Sequence, residues 1–197
     1  MPTAPQNPLN VANLLTTAGA AAGLTAIITT VRGHLSLALT CLVLAVLLDR
    51  IDGIVARRLE LSSELGKQLD SLADATSFCV APAVMVALVA EGALVPSVLA
   101  GIFALCGLWR LARFNVLGLD DSGAFQGVPT TLAGAWFTIT WAFVRVSPLE
   151  PYTGWVLGGL LALFAPMMLM PVAVRKNGWL VKPLYVALLP TLVAIWW

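Results

Sequence analysis

Four aspartates lie close together in a chain that is otherwise strongly apolar, at Asp49, Asp52, Asp70 and Asp74. The first two are three positions apart and the last two are four apart, so that each pair shares one face of a helix. The polar segment RLELSSEL between the pairs predicts a turn, and Ser62 or Ser63 can cap the helix that follows it. Two antiparallel helices joined in this way would bring all four carboxylates to one place.

Four adjacent carboxylates at the edge of a membrane repel one another and resist desolvation, and a divalent cation is the usual relief. A donor set made only of oxygens favours Mg²⁺, Mn²⁺ or Ca²⁺ over zinc. Four carboxylates can hold two such ions, and two-metal sites commonly clamp a phosphoryl group during a displacement reaction. The sequence therefore predicts two divalent cations, Mg²⁺ or Mn²⁺, bound by the four aspartates.

Small residues flank the acidic cluster on the same helix faces. Gly53, Ala56 and Gly66 would leave a space free of side chains beside the metals, where a flat group could approach the backbone. Arg57 can neutralise a phosphate there. The alternative is that the small residues only let membrane helices pack closely. Because all three flank the acids, we favour a ligand pocket.

The spacing of these residues, D-x2-D-G-x2-A-R-x8-G-x3-D-x3-D from Asp49 to Asp74, resembles the signature of the CDP-alcohol phosphatidyltransferases. The resemblance implies a helical membrane enzyme, a homodimer, that moves a phosphatidyl group from a CDP-linked lipid to an alcohol and releases CMP. It also implies that the aspartates bind two metal ions and that Asp74, the last of them, acts as the base.

Three further stretches resemble the phosphatidylserine synthase branch of that family: LDSLADATSFCVAPA at 69–83, CGLWRLARFNV at 106–116 and FQGVPTTLAG at 125–134. This likeness implies CDP-diacylglycerol as the donor and L-serine as the acceptor. Three positions depart from the branch pattern: Cys79 stands where Gly is usual, Trp109 where a small residue is commoner, and Ala12 where Pro is expected. Trp109 adjoins a candidate substrate residue, so we expect it to reshape the pocket.

The carboxylate of serine requires a cation. Arg110 and Arg113 lie one helical turn apart, Asn115 follows closely, and a fixed guanidinium suits a carboxylate. The sequence predicts that these three residues bind the acceptor. The alternatives are that the arginines reach towards lipid headgroups, or that one of them holds the phosphate of the donor lipid. In GVPTT, Thr130 and Thr131 could bond backbone or substrate, but the start of a helix is the favoured explanation.

The rest of the chain predicts an all-α integral membrane protein. It is 59% hydrophobic and only 11% charged, with a mean hydropathy of +0.92, and apolar stretches recur at the roughly 20-residue length of a membrane span. We predict six core transmembrane helices and a seventh C-terminal one, all in a single domain, 1–197. The predicted spans are 11–31, 35–58, 67–90, 94–117, 128–147, 153–173 and 179–197. Lys182 and Pro183 interrupt the last span.

The distribution of basic residues predicts the orientation. One side of the membrane holds Arg50, Arg57, Arg58, Lys67, Arg110, Arg113, Arg175 and Lys176, whereas the other holds only Arg32 and Arg145. By the positive-inside rule the aspartates face the cytoplasm in the cell membrane, and Trp196 and Trp197 lie in the far interface. The three cysteines have no metal-ligand spacing and are expected to be apolar packing residues. A net charge of +1 gives no indication of a nucleic-acid partner.

Two other classes of protein compete with an enzyme. A small cation transporter could carry intramembrane acids, but those lie more often near the midplane of broken, repeated helices. A structural scaffold does not account for the acids. Within the enzyme class, glycerol 3-phosphate, inositol phosphate and choline are alternative acceptors, although choline would need an aromatic cage such as Trp109 and Phe114 could form. An ether-linked archaetidyl donor also stays open.

Overall fold

The computed structural model describes residues 9–118, 125–170, 173–174 and 182–196, and within these residues the chain is almost entirely helical. Seven helices follow one another: α1 Val11–Val31, α2 Leu35–Arg58, α3 Glu64–Val89, α4 Leu94–Leu117, α5 Thr130–Arg145, α6 Thr153–Leu169 and α7 Lys182–Trp196. The only strands in the described ranges are two residues long, β1 Phe125–Gln126 and β2 Ala173–Val174, and they pair antiparallel. The predicted all-helical class is confirmed.

Four of the helical segments are long and apolar enough to cross a membrane: α1, α3, α4 and Glu150–Leu169, which is α6 with the 3-10 turn before it. The second half of α2 carries five charged residues in the segment LDRIDGIVARR, and α5 and α7 are shorter, at 16 and 15 residues. Length and apolarity therefore identify four candidate spans among the described helices. The other three predicted spans correspond to α2, α5 and α7, and none of these three helices is both long enough and apolar enough.

Helix α1 is the element around which the acidic helices are arranged. Its N-terminus is capped by Asn10, whose side chain accepts a hydrogen bond from the Asn13 amide at 2.9 Å. Helix α1 packs along α2 and also along the first part of α3, whereas the backbones of α2 and α3 come close to each other at few positions. At Gly23 of α1 a side chain would collide with Ser77 of α3. Small residues thus let α1 come close to both acidic helices.

Helix α3 changes its pitch just after the second pair of aspartates. It begins with Ser63 as the N-cap, whose hydroxyl accepts from the Gly66 amide at 3.0 Å, as one of the two predicted caps. It is α-helical over Glu64–Asp74, π-helical over Ala75–Val80 and α-helical again over Ala81–Val89. The π segment places the Phe78 ring against Gly134 of α5, where there is no room for a β-carbon.

The opposite end of the bundle is held by polar bonds between the ends of three helices. The Arg145 guanidinium at the end of α5 donates to the Ser36 hydroxyl at 2.8 Å and to the Ile195 carbonyl at 3.2 Å. The indole of Trp196 donates to the Thr40 hydroxyl at 3.1 Å. This end lies away from the aspartates, since Ser36 and Thr40 are in the first turns of α2.

One sequence-based interpretation of the last helix is corrected. Lys182 and Pro183 do not interrupt α7 but open it, because a proline is tolerated in the first turn of a helix, where its missing N–H would have no helical partner. Arg175, Lys176 and Trp197, which entered the predicted orientation, lie outside the described residues.

Candidate active site

Three of the four predicted aspartates form one acidic group. One carboxylate oxygen from each of Asp49, Asp70 and Asp74 lies within 4.8 Å of the others, and all three side chains are half-buried. Asp49 comes from α2 and the other two come from successive turns of α3. The spacing of the sequence therefore brings together acids from two helices whose backbones come close to each other at few positions.

Asp52 stands beside this group rather than in it. Its side chain is 5% exposed, and its Oδ2 accepts a hydrogen bond from the Thr16 hydroxyl of α1 at 2.7 Å. The expectation that four carboxylates meet at one point holds for three of them, because α1 packs against α2 and Thr16 faces Asp52. All four aspartates nevertheless line a narrow space that Thr16 and Ser77 also border.

A larger cavity of about 360 Å³ opens beside these acids, between α1, α2 and the start of α3. Its walls include most of the signature residues: Asp49, Asp52, Gly53, Ala56, Arg57, Gly66 and Asp70. Eight further residues line the cavity and did not belong to the predicted site. Four of these eight are Asn13, Thr16, Lys67 and Phe114. Two of these four come from α1, and their spacing alone gave no sign that α1 would cover the acidic faces.

The two glycines of the signature have different surroundings. A β-carbon at Gly66 would lie 2.9 Å from the Asn13 side-chain oxygen and 3.1 Å from the Ser63 hydroxyl. A β-carbon at Gly53 would lie 3.4 Å from the nearest nitrogen of the Arg57 guanidinium, which is ordinary contact with a flexible group. A β-carbon at Gly66 would therefore require the Asn13 side chain to shift, whereas a β-carbon at Gly53 would make only ordinary contact with Arg57.

The clustered carboxylates fit a hard divalent cation. The donors of the group are oxygens only, which suits Mg²⁺, Mn²⁺ or Ca²⁺. Ligand oxygens on opposite sides of such an ion are about 4–5 Å apart, since each lies at roughly 2.0–2.6 Å from the metal. The separation of up to 4.8 Å between oxygens of Asp49, Asp70 and Asp74 falls in that range. The acidic group can thus hold a metal.

None of the three predicted acceptor residues, Arg110, Arg113 and Asn115, lines the 360 Å³ cavity. Arg110 is 4% exposed, and its buried guanidinium lies within electrostatic reach of Asp74. Arg113 is half-buried, and one of its terminal nitrogens donates to the Leu169 carbonyl at the end of α6 at 3.3 Å. The two arginines therefore face α3 and α6 rather than the cavity of the signature residues.

Asn115 takes part in a network that joins the end of α4 to the start of α3. Its side-chain oxygen accepts from the Ser71 hydroxyl at 2.9 Å, and its side-chain nitrogen donates to Gln68 at 3.0 Å. Its backbone carbonyl accepts from the Lys67 ammonium at 2.9 Å, and this ammonium lies 5.8 Å from the centre of the Phe114 ring. These contacts hold the two helices together next to the cavity.

Trp109 lies apart from the cavity of the signature residues, and its expected effect on an acceptor pocket stays a prediction. The side chain is 71% exposed and does not line the cavity, because consecutive residues of a helix point about 100° apart and its neighbour Arg110 takes the buried direction. An aromatic cage of Trp109 and Phe114 is therefore not formed, since Phe114 alone of the two borders the cavity.

Thr130, for which the sequence favoured the start of a helix over a bond to backbone or substrate, lies against the acidic group. It is indeed the first residue of α5, but it is also fully buried, and its hydroxyl donates to Oδ2 of Asp74 at 3.0 Å. The signal that could have identified it is the likeness of GVPTT to the phosphatidylserine synthase branch. Spacing could not, since Thr130 and Asp74 belong to helices far apart in sequence.

The structure thus places an acidic pair on each of two helices beside a cavity that glycines and an arginine line. Residues 9–179 match the family model of CDP-alcohol phosphatidyltransferase, and the chain belongs to that family. Together with the four long apolar helices, this membership indicates an integral membrane protein.

Several characterised relatives carry related names. The chain is 38% identical over 125 residues to the archaetidylserine synthase of Methanothermobacter thermautotrophicus. This match covers 61% of the present chain and 53% of the relative. It is 32% identical over 185 residues to a CDP-diacylglycerol–serine O-phosphatidyltransferase of Mycobacterium tuberculosis, covering 88% of this chain and 64% of that protein. A protein of the same name from Saccharomyces cerevisiae is 43% identical over 102 residues, 47% of this chain and 37% of the relative. The matches thus span about a third to two thirds of these relatives.

Proposed function

We propose that the protein is a CDP-diacylglycerol–serine O-phosphatidyltransferase, which transfers the phosphatidyl group of CDP-diacylglycerol to L-serine and releases CMP. The observation that carries the proposal is the meeting of Asp49, Asp70 and Asp74 within 4.8 Å beside a cavity that the signature residues line. The names of the relatives from Methanothermobacter, Mycobacterium and Saccharomyces support serine as the acceptor.

In this proposal Asp49, Asp52, Asp70 and Asp74 hold two divalent cations, Mg²⁺ or Mn²⁺. When bound, such cations spread the negative charge of a phosphate and favour departure of the leaving group. The donor occupies the 360 Å³ cavity, where Gly53, Ala56 and Gly66 leave room for it and Arg57 faces its phosphates.

The acceptor binds on the opposite side of the acids, where Arg110 or Arg113 pairs with the serine carboxylate. The electrostatic reach between Arg110 and Asp74 supports this position. The prediction that Asn115 also contacts the acceptor stays a prediction, because its side chain bonds Ser71 and Gln68.

The reaction is a single displacement at the lipid-side phosphorus. Asp74 takes the proton of the serine hydroxyl, which is too weakly acidic to react unaided. The serine oxygen forms a bond to that phosphorus while the bond from the phosphorus to the bridging oxygen breaks, and CMP leaves with the electron pair. The products are phosphatidylserine and CMP.

The experiment that tests the proposal combines purified protein, Mg²⁺ or Mn²⁺, and two donors, CDP-diacylglycerol and its ether-linked archaetidyl counterpart. Each donor is offered with radiolabelled serine, glycerol 3-phosphate, inositol phosphate and choline, and both CMP and the labelled lipid are measured. We expect label in lipid from serine alone. Labelled lipid from another alcohol alone would show that this alcohol, and not serine, is the acceptor. Transport of metal cations without release of CMP would favour a transporter.

The proposal includes a topology. The protein forms a homodimer in the cell membrane, a single domain with six core helices and α7 crossing the bilayer, and the aspartates face the cytoplasm. Six basic residues at the aspartate end support this orientation: Arg50, Arg57, Arg58, Lys67, Arg110 and Arg113.

Cysteines introduced at Ser63 and Ser147, after replacement of the three native cysteines, test this topology. The Ser63 variant should react with an impermeant reagent only from the cytoplasm, and the Ser147 variant only from outside. Reaction of both from one side would refute the arrangement.

A further inference from the structure

A buried hydroxyl from α5 reaches the acidic group from a direction that the family signature does not cover. Thr130 is 0% exposed and donates to Oδ2 of Asp74 at 3.0 Å, across 56 positions of sequence. A threonine hydroxyl has one proton to donate. In the described residues this hydroxyl has no other acceptor, so its proton is committed to the carboxylate.

The start of α5 is held rigidly, which fixes the direction of this hydroxyl. The backbone before Thr130 rests on the end of α6: the Val128 amide donates to the Met167 carbonyl at 3.0 Å. Gly127 has a φ of +82° and lies so close to the Met168 carbonyl that a β-carbon could not be accommodated. Pro129, the N-cap, has its φ restrained by its ring. Three consecutive residues thus set the position of Thr130.

The position of Thr130 in its helix explains why the hydroxyl is available. Threonines in the interior of a helix bond the carbonyl four residues earlier, as Thr17 of α1 does with Asn13 and Thr138 of α5 does with Gly134. Thr130 is the first residue of α5, so it has no helical carbonyl four residues before it. The hydroxyl can therefore leave its own helix and donate to α3.

A neutral donor suits a carboxylate that has to bind a cation. It fixes one oxygen of Asp74 without adding a positive charge of its own, and the Asp74 carboxylate also belongs to the group formed with Asp49 and Asp70. The Thr16 hydroxyl likewise lies 2.7 Å from an oxygen of Asp52, although it also lies 3.0 Å from the Ala12 carbonyl of its own helix. Two different helices, α5 and α1, thus each supply a hydroxyl to one acid.

We propose that Thr130 is a positioning residue, whose hydroxyl orients the Asp74 carboxylate for metal binding and for proton transfer from the acceptor. The proposal rests on the metal-binding role of the aspartates stated above. Outer partners of metal ligands typically change metal affinity or activity by about 10- to 100-fold when they are removed, and that is the range expected here.

The test compares Thr130→Val, which keeps the branched shape and loses the donor, with Thr130→Ser, which keeps the donor. Thr138→Val is the matched control, because Thr138 is equally buried in α5 and bonds only its own helix. Mn²⁺ affinity is measured by electron paramagnetic resonance without substrates, and kcat and KM are measured with both. If Thr130→Val does not fold, Thr130→Ala replaces it.

We expect Thr130→Val to bind Mn²⁺ about 10- to 100-fold more weakly and to lose kcat by a similar factor, with KM for the donor unchanged within about twofold. Thr130→Ser and Thr138→Val should resemble the wild type. Wild-type Mn²⁺ affinity and kcat in Thr130→Val, or equal losses in the Val and Ser variants, would overturn the proposal. Asp70→Asn distinguishes the two reasons for such a result. If Asp70→Asn also binds Mn²⁺ as the wild type does, the metal site itself is refuted. If Asp70→Asn abolishes Mn²⁺ binding, only the role of Thr130 is refuted.

Discussion

The two sides of the acidic group are built in different ways. Towards α1 and α2, Asp49 and Asp70 border a cavity of about 360 Å³ with Arg57 and the signature glycines. Towards α5 and α6, Asp74 lies against the buried Thr130 and within reach of the buried Arg110, and it does not line that cavity. The first side has room for a large ligand. The second depends on side chains fixed by packing, and this suits a small acceptor whose approach has to be oriented.

The largest expected effect comes from the acids that both sides share. Asp70→Asn removes one negative charge and one metal ligand, so the rate of CMP release should fall by several orders of magnitude at ordinary metal concentrations. Glu60→Gln, an equivalent change at an exposed turn residue, should leave the rate near normal. Near-normal turnover by the Asp70→Asn variant would remove the basis for a shared metal site.

Next in size is a division of the arginines between the two sides. Arg57→Ala should raise KM for CDP-diacylglycerol, and Arg110→Ala or Arg113→Ala should raise KM for serine, each by about 10- to 100-fold, since a hydrogen bond to a charged group contributes roughly 1.5–3 kcal/mol. Arg58→Ala serves as the control, because this exposed neighbour of Arg57 does not line the cavity. Steady-state kinetics with each substrate varied in turn separate these effects. A donor defect in all three variants would assign the α4 arginines to the lipid phosphate.

A smaller effect distinguishes the two glycines of the cavity side. Gly53→Ala and Gly66→Ala should both raise KM for the donor about tenfold, because a methyl group occupies the space that the ligand needs. Only Gly66→Ala should also lower the melting temperature of the donor-free protein, since its β-carbon would lie 2.9 Å from the Asn13 oxygen. A normal donor KM in Gly53→Ala would favour helix packing as the reason for that glycine.

The smallest effect concerns the join between the two sides. Asn115→Ala removes the bonds to Ser71 and Gln68, and the free energy of unfolding should fall by about 1 kcal/mol, seen as a lower melting temperature. Ser71→Ala removes one of the same bonds and should lower the melting temperature less. If KM for serine rises in Asn115→Ala and stays normal in Ser71→Ala, Asn115 contacts the acceptor as the sequence predicted.

The cavity side could be derived from sequence because its residues follow from helical spacing within one segment. Asp49, Gly53 and Arg57 repeat at one turn of α2, and Gly66 and Asp70 do so on α3, so their common face is independent of the rest of the fold. The positions of the helices were also predictable, because the ends of each of the seven predicted spans lie within a few residues of the ends of a helix.

The other side could not be derived in this way because it depends on how separate helices pack. Thr130 reaches Asp74 because α6 holds the start of α5 against α3. Thr16 and Asn13 enter the site because α1 covers both acidic helices. The charge of Arg110 predicted a place at the membrane interface, yet the packing of α4 buries it almost completely. These outcomes depend on pairs of residues that no local pattern relates.

The π-helical turn Ala75–Val80 has a consequence for how α3 tolerates change in length. A π turn holds one residue more than an α turn, so the two halves of α3 are out of phase by about one residue, or roughly 100° of rotation. The acids in the first half and the packing residues in the second, such as Ala81 and Met85, therefore point in directions that one continuous α-helix would not give them. Deleting a single residue within this turn would restore regular pitch and leave the two halves facing as they do, whereas the same deletion in either α-helical half would turn the parts on its two sides by about 100° against each other.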